Sequence, residues 1–178
     1  YVLSLGTLEP RKDVPGLLAA FERLAGSHPG LRLVVAGPDG WGTAAFEQAL
    51  GRSPFADRVV RLGYLGQAER AGLLRGAAVF AYPSVYEGFG LPPLEAMAVG
   101  VPVVCTRAGA LPEVVGQAAL LVEPGDPEAL AGAIACLLDD QAARARLIEA
   151  GRRRAAEFSW GSCAAGLEAL YRRAAAER

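Results

Sequence analysis

The stretch from Tyr86 to Val104, YEGFGLPPLEAMAVGVPVV, sets two carboxylates, Glu87 and Glu95, into one of the most apolar parts of the chain. Burying a carboxylate is costly unless a cation or hydrogen-bond donors meet it, so each acid needs a partner. Glu87 falls in a glycine-rich turn, and Glu95 just inside a helix expected from about residue 92. Gly88 and Gly90 let the backbone turn sharply and approach a ligand closely. Pro92 and Pro93 suit the first helical positions, where a missing N–H does no harm. The N–H groups of Gly90 and Leu91 then point out of the helix start, where an anion is favoured. A carboxylate placed like Glu95 can accept hydrogen bonds from a vicinal diol such as a ribose. Glu87, in the loop, can reach another part of the same ligand. The plainer alternative is a helix carboxylate favoured by the macrodipole, with a turn acid before it.

A second pair has the opposite charge. Arg11 and Lys12, in GTLEPRK, sit side by side between the end of one apolar run and the start of a helical pattern. There a guanidinium and an ammonium can grip a diphosphate, Arg through paired hydrogen bonds and Lys as a point charge. Two solvated loop charges are the alternative. Other conspicuous residues read as structural: Phe80 and Tyr82 as strand core, Trp160 of EFSW as an anchor packing the last helix onto the domain, and His28 as a helix-end residue. Cys105, Cys136 and Cys163 are far apart, with no CxxC spacing and no histidine partner. That speaks against a metal site or disulfide framework. They read as reduced thiols packed as small hydrophobes, as in a cytoplasmic protein.

These residues need a scaffold. Strand-like runs occur at 1–5, 31–37, 58–64, 78–83, 101–106 and 118–123, and most are apolar on both faces, as in a parallel sheet covered by helices. Helical patterns fill the gaps at about 13–27, 43–51, 67–75, 92–99, 111–116, 127–139, 141–157 and 160–175. Asp13 caps the first helix, and Leu17, Phe21, Leu24 and Ala25 mark its core face. Cys163, Leu167, Leu170 and Tyr171 share one side of the last, and the Arg- and Ala-rich tail (144–178) reads as solvated helix. The alternation predicts an α/β fold: a Rossmann-like, doubly wound parallel sheet of about six strands with helices on both faces. Ligands of such sheets bind beyond the carboxyl ends of the strands, and the unusual residues do follow strands.

With 178 residues, 52% of them apolar, the chain is large enough for one α/β domain with a real core, and a net charge of −1 speaks against a nucleic-acid partner. The apolar runs fall short of the roughly 20 residues a membrane span needs. The chain opens at Tyr1 directly into a strand, which suggests an excised domain whose N-terminal neighbour is missing.

The string EGFGLPPLEAMAVGVPVV, with seven residues between its two glutamates, resembles the E-x7-E signature of retaining glycosyltransferases with the two-domain GT-B fold. LSLGTLEPRKDVPGLLAAF, LVVAGPDGW, VVRLGYL, AVFAYPSVYEGFGLPPLEAMAVGVPVVCT, LPEVVGQAALLVEPGD and EFSW agree in order, so the resemblance to the C-terminal domain of glycosyl transferase group 1 (family 4) covers essentially the whole chain. It implies a single nucleotide-sugar (donor) binding domain over 1–178, the C-terminal half of a GT-B fold, with the N-terminal acceptor domain absent. It implies that Arg11 and Lys12 bind the donor's diphosphate, that Glu95 holds the ribose and that Glu87 lies by the sugar. Gly88, Phe89, Gly90 and Leu91 surround sugar and phosphate, Leu62 to Tyr64 contact the base, and Gly37 and Pro38 belong to the cleft wall. No metal or cofactor is implied; the nucleoside-diphosphate sugar is the donor substrate. The family's catalytic-side histidine belongs to the absent domain, and His28 does not match it. The resemblance is strongest to mannosyltransferase-type members, which makes GDP-mannose the first choice of donor. Cytoplasmic location is expected, with any membrane contact made through the absent domain. A catalytically silent nucleotide- or partner-binding module and a GT-B-fold sugar-nucleotide epimerase remain as alternatives.

Overall fold

A computed structural model describes residues 1–176 of the chain. Six strands form one parallel sheet: β1 (Val2–Leu5), β2 (Leu33–Ala36), β3 (Val59–Leu62), β4 (Val79–Tyr82), β5 (Val103–Thr106) and β6 (Leu120–Val122). Eight α-helices connect and follow them: α1 (Val14–Ala25), α2 (Thr43–Leu50), α3 (Gln67–Gly76), α4 (Leu91–Ala98), α5 (Leu111–Val115), α6 (Pro127–Asp139), α7 (Gln141–Ala156) and α8 (Trp160–Ala176). Each expected element is present. The strands are one to two residues shorter at most ends than the apolar runs, because those residues already turn into loops.

The strand order is β3-β2-β1-β4-β5-β6. The chain therefore winds outward from β1 in one direction and from β4 in the other, which is the doubly wound arrangement, and reverses between β1 and β4. Their ladder is short: Val2 pairs with Val79 and Leu3 with Phe80. Pairing stops before the carboxyl ends, and that end of a reversal point is where open α/β sheets form a crevice. The four inner strands are buried throughout, whereas β3 and β6, at the sheet edges, are only partly so. Continuous burial explains why the inner runs lack polar–apolar alternation.

Two cores flank the sheet. On one face α1 packs against α6, with Leu17, Leu18, Phe21, Phe46, Ile134 and Leu137 fully buried. On the other α4 packs against α7, over Phe80, Tyr82, Met97 and Leu111. Gly151 lets α7 sit directly on Met97; a side chain there would press on it. Asp13 does cap α1, accepting from the Gly16 N–H at 3.1 Å, from a left-handed backbone conformation (φ +45°).

Three expectations need correction. Trp160 does not anchor the last helix: it is 83% exposed. Phe158 is the residue of EFSW that packs, edge-on to Phe89 with ring centroids 5.8 Å apart and beneath the Arg154 guanidinium. Beyond it the chain leaves the domain, so the apolar side of α8 exists but has no neighbour among the described residues. Residues 177 and 178 of the tail lie outside those residues. Of the thiols only Cys105 is buried; Cys136 and Cys163 are exposed, because their helices turn those positions outward. Burial in apolar surroundings pushes the Cys105 thiol up to about 12. Gly88 is not needed for a turn either: it has no positive φ and open space where a side chain would stand, whereas Gly90 has φ +118°. Among the described residues no helix is long and apolar enough to cross a membrane.

Candidate functional site

The loops after the six strands meet at the carboxyl edge of the sheet, and backbone hydrogen bonds bind them into one surface. In the loop after β1, Leu8 N–H donates to Pro38 O (3.1 Å) and Leu8 O accepts from Gly42 N–H (2.8 Å), both partners belonging to the loop after β2. Gly37 N–H donates to Leu62 O and Gly63 O after β3. Val85 N–H, after β4, donates to Arg11 O at 2.7 Å. Ala110 N–H, after β5, donates to Glu87 O at 3.0 Å, and the Thr106 hydroxyl donates to Ser84 O. Glycines make this closeness possible. A Cβ on Gly37 would overlap Gly6 O, and one on Gly109 would overlap Glu87 O; both have positive φ, +147° and +53°.

Arg11 and Lys12 lie not in an open loop but in a 3-10 turn, Pro10–Lys12. The turn sends Lys12 inward, where its stem lies against Gly6, whose missing Cβ leaves the room. Lys12 is only 9% exposed, an unusual place for an ammonium without partners. It has two: Nζ donates to Glu87 Oε1 at 2.5 Å and to the Tyr82 hydroxyl at 2.6 Å. An ammonium has three N–H groups, so one remains for a ligand. Arg11 faces outward. Its Nη1 donates to Glu87 Oε2 at 2.9 Å and its Nε to Glu9 Oε2 at 2.7 Å. Two cations and two carboxylates thus form a nearly neutral cluster at the crevice between β1 and β4. This answers what Glu87 holds before any ligand arrives.

The electrostatics follow the geometry. Burial alone would raise the Glu87 carboxyl, but the hydrogen bond and charge of Lys12, together with the Ser84 and Tyr82 hydroxyls, outweigh it and hold the group below its ordinary value. The Tyr82 phenol is pushed up, first by burial and then by the nearby Glu87 charge, so it stays protonated. Arg11 is held above its ordinary value: burial works against its charge, and Glu9 and Glu87 more than compensate.

Glu95 sits one turn into α4, on the side facing α3. Its Oε1 accepts from Arg70 Nη2 at 2.7 Å, while its Oε2 is buried and accepts nothing. The helix is not fully buried here: the Glu95 side chain retains a third of its surface. The first N–H groups of α4 have no intrahelical partner, and Gly90 and Leu91 therefore offer donors between Glu87 and Glu95. Phe89 and Leu91 are about half exposed beside them. Pro38 is exposed at the loop after β2, Leu62 ends β3, and Tyr64 stands 80% exposed on the loop that follows. Every expected site residue thus lies on the same edge of the sheet. Arg11, Lys12 and Glu87 are in direct contact; Glu95 and the Leu62–Tyr64 segment flank them toward α3 without touching them.

Sequence reasoning missed four participants. Tyr82 belongs to the core, as expected, but its hydroxyl belongs to the site. Glu9 was visible two places before Arg11. Gly109 gave no sign, since what it approaches lies 22 residues away in sequence. Arg70, in a polar helix, was indistinguishable from a surface charge. Among the described residues no group of His, Cys, Asp and Glu could hold a metal ion.

Residues 1–154 match the sequence family described as glycosyl transferases group 1. The O-antigen chain mannosyltransferase B of Escherichia coli is 40% identical over 92% of this chain and 43% of its own length. Sucrose-phosphate synthase from Thermosynechococcus elongatus superposes with a TM-score of 0.87, at 32% identity over 99% of this chain and 46% of that one. Anabaena HepE in complex with UDP-glucose superposes with a TM-score of 0.80, at 25% identity over 88% of this chain and 44% of that one. The chain spans less than half the length of each of these three proteins.

Proposed function

Because the chain belongs to the glycosyl transferases group 1, a family of GT-B-fold glycosyltransferases, we propose that it is the donor-binding half of a retaining hexosyltransferase. The whole enzyme moves a sugar from a nucleoside-diphosphate sugar, GDP-mannose in the first instance, to an acceptor hydroxyl, and an N-terminal half not present in this sequence carries the acceptor. The observation that carries this reading is the buried Lys12 ammonium, fixed by Glu87 and Tyr82 beside the start of α4 with one N–H left over. The mannosyltransferase relative and the UDP-glucose complex of HepE support the substrate class.

In this arrangement the diphosphate lies against Lys12, Arg11 and the N–H groups of Gly90 and Leu91. Glu95 takes the ribose, and Glu87 meets the sugar. Transfer breaks the bond between the anomeric carbon and the phosphate oxygen, whose electron pair stays with the diphosphate. The two cations and the helix N–H groups stabilise that growing charge. The acceptor oxygen forms the new bond, and its proton leaves with the diphosphate. Glu87 and Glu95 contribute by holding the donor in one orientation. Cleft closure against the other half excludes water and completes the site, so these 178 residues bind nucleotide and transfer no sugar alone.

Calorimetry with nucleosides and nucleoside diphosphates tests the phosphate grip. A charge-assisted hydrogen bond is worth about 1.5–3 kcal/mol, so Lys12→Ala weakens nucleoside diphosphate by about tenfold or more and leaves the nucleoside unchanged. Equal losses for both ligands refute the assignment. With the two-domain protein, the anomer released from donor and acceptor separates retention from inversion and transferase from epimerase.

A further inference from the structure

The tip of the loop after β4 is held by an aromatic contact and by no backbone ladder. Among the described residues, Gly88 and Phe89 are tied to no other backbone group by a hydrogen bond. The first turn of α4 cannot take their carbonyls, because Pro92 and Pro93 have no N–H to offer four places on. The Phe89 ring instead meets Phe158, with centroids 5.8 Å apart and ring planes at 85°. Phe158 follows α7 and packs, partly buried, against the core on the α4 face of the sheet. The Arg154 guanidinium lies 4.7 Å from the centre of its ring. Arg154 has all three nitrogens in use: Nε donates to Val114 O at 2.9 Å, Nη2 to Glu113 O at 2.7 Å and Nη1 to the Glu157 carboxylate. The other end of α5 touches the same loop, where Leu111 leaves no room for a side chain on Gly90. The contacts close a circuit through Phe89, Phe158, Arg154, α5 and Gly90. We propose that Phe158, held by Arg154, is a positioning residue for the donor: it keeps Phe89 in place so that the N–H groups of residues 88–91 stand ready for the phosphate that carries the sugar. The inference rests on the reading that this loop meets sugar and diphosphate.

A tip flanked by glycines and free of hydrogen bonds is a segment that an arriving ligand would have to order. Ordering one loose backbone residue costs about five- to thirtyfold in an equilibrium constant. A tip ordered beforehand spares the ligand that cost. Internal hydrogen bonds cannot do the ordering, since every N–H bonded within the protein is lost to the phosphate. An aromatic side chain holds the backbone and leaves its donors free. The near-perpendicular geometry gives the contact a direction, because the positive edge of one ring meets the negative face of the other. The Arg154 cation fixes the Phe158 ring in turn, and its bonds to α5 and Glu157 leave it little freedom of its own. The competing account is structural: the two rings only pack the chain where it leaves the domain for α8. Removing a ring then lowers stability and leaves the affinity of the folded protein unchanged.

Calorimetric titration of the full chain with GDP, ADP and UDP decides between them, with thermal unfolding of each variant to fix a temperature at which it is folded. Against whichever of the three the wild type binds tightest, Phe158→Leu is expected to weaken binding about fivefold or more. Phe158→Tyr, which keeps the ring, is expected to stay close to the wild type. Phe89→Leu weakens binding as well, and the double variant Phe89→Leu, Phe158→Leu binds no more weakly than the weaker single one, because the two side chains act as one contact. Arg154→Gln, which loosens the Phe158 ring without opening the core, weakens binding in the same direction and covers the case in which Phe158→Leu fails to fold. Unchanged affinity in folded Phe158→Leu or Arg154→Gln, or losses that add in the double variant, overturns the proposal and leaves the donor reading standing. Failure of the wild type to bind any of the three overturns both.

Discussion

Replacing Glu87 with Gln tests the central ion cluster with the least change of shape. In the wild type the carboxylate accepts from Lys12 at 2.5 Å and Arg11 at 2.9 Å, with 9% of its side chain exposed. Glutamine keeps one carbonyl acceptor, loses the charge and turns an amino donor toward one of the cations. The Lys12 contact is buried, so the charge-assisted hydrogen bond is worth about 1.5–3 kcal/mol. Arg11 is 42% exposed, and its share is no more than about 1 kcal/mol. The variant should therefore be about 2–3 kcal/mol less stable at neutral pH, or about 4–12 °C lower in Tm for a domain of this size. The pH dependence is the sharper criterion. The folded Glu87 carboxyl is held below its ordinary value of 4.5, so the unfolded chain takes up the proton first. The stabilisation is complete above that ordinary value and disappears as pH falls through the lower, folded one. Urea unfolding followed by circular dichroism across pH should show wild type and Glu87→Gln well apart at neutrality and converging in acid. A constant offset at every pH, or none at neutrality, refutes the assignment of the pair.

Tyr82→Phe leaves the ring in the core and removes the oxygen that accepts from Lys12 at 2.6 Å. It should cost about 0.5–1.5 kcal/mol in thermal unfolding and weaken nucleoside diphosphate several-fold in calorimetry; unchanged binding would mean that Lys12 needs no second partner. Gly109→Ala and Gly116→Ala both place a side chain at positive φ, +53° and +55°, but only the first drives its Cβ into the Glu87 carbonyl. Gly116→Ala should lose about 1–3 kcal/mol from backbone strain, and Gly109→Ala more than that together with nucleotide binding. Equal losses by the two variants in denaturant titrations would show that the loop after β5 does not hold Glu87 in place.

The features legible in the sequence were those set by short-range regularity. Four-residue runs such as Val2–Leu5 and Val103–Thr106 carry no polar alternation because both faces are covered, and that pattern alone marks inner parallel strands. Asp13 before the apolar repeat of α1, and Gly90 before Leu91 and two prolines, mark helix starts by local backbone chemistry. Glu87, Glu95, Arg11 and Lys12 stood out because charged groups in apolar surroundings demand partners. Their position after strands puts them on one edge of the sheet.

Which charge meets which could not be read along the chain. Lys12 and Glu87 lie 75 residues apart, and Arg70 and Glu95 25 apart; only the pairing of β1 with β4, and the placing of α3 beside Glu95, brings them together. Sequence spacing also cannot say whether Lys12 turns outward with Arg11 or inward to Tyr82, because one residue of a 3-10 turn separates the two directions. Trp160 shows the same limit from the other side. Its composition asks for burial, yet burial needs a facing surface, and none stands against it among the described residues. Local propensity and periodicity act over one turn or one strand, so sequence determined the elements and the edge where the chemistry gathers. Long-range packing alone decided the pairing of the charges, the role of the Tyr82 hydroxyl and the exposure of the last helix.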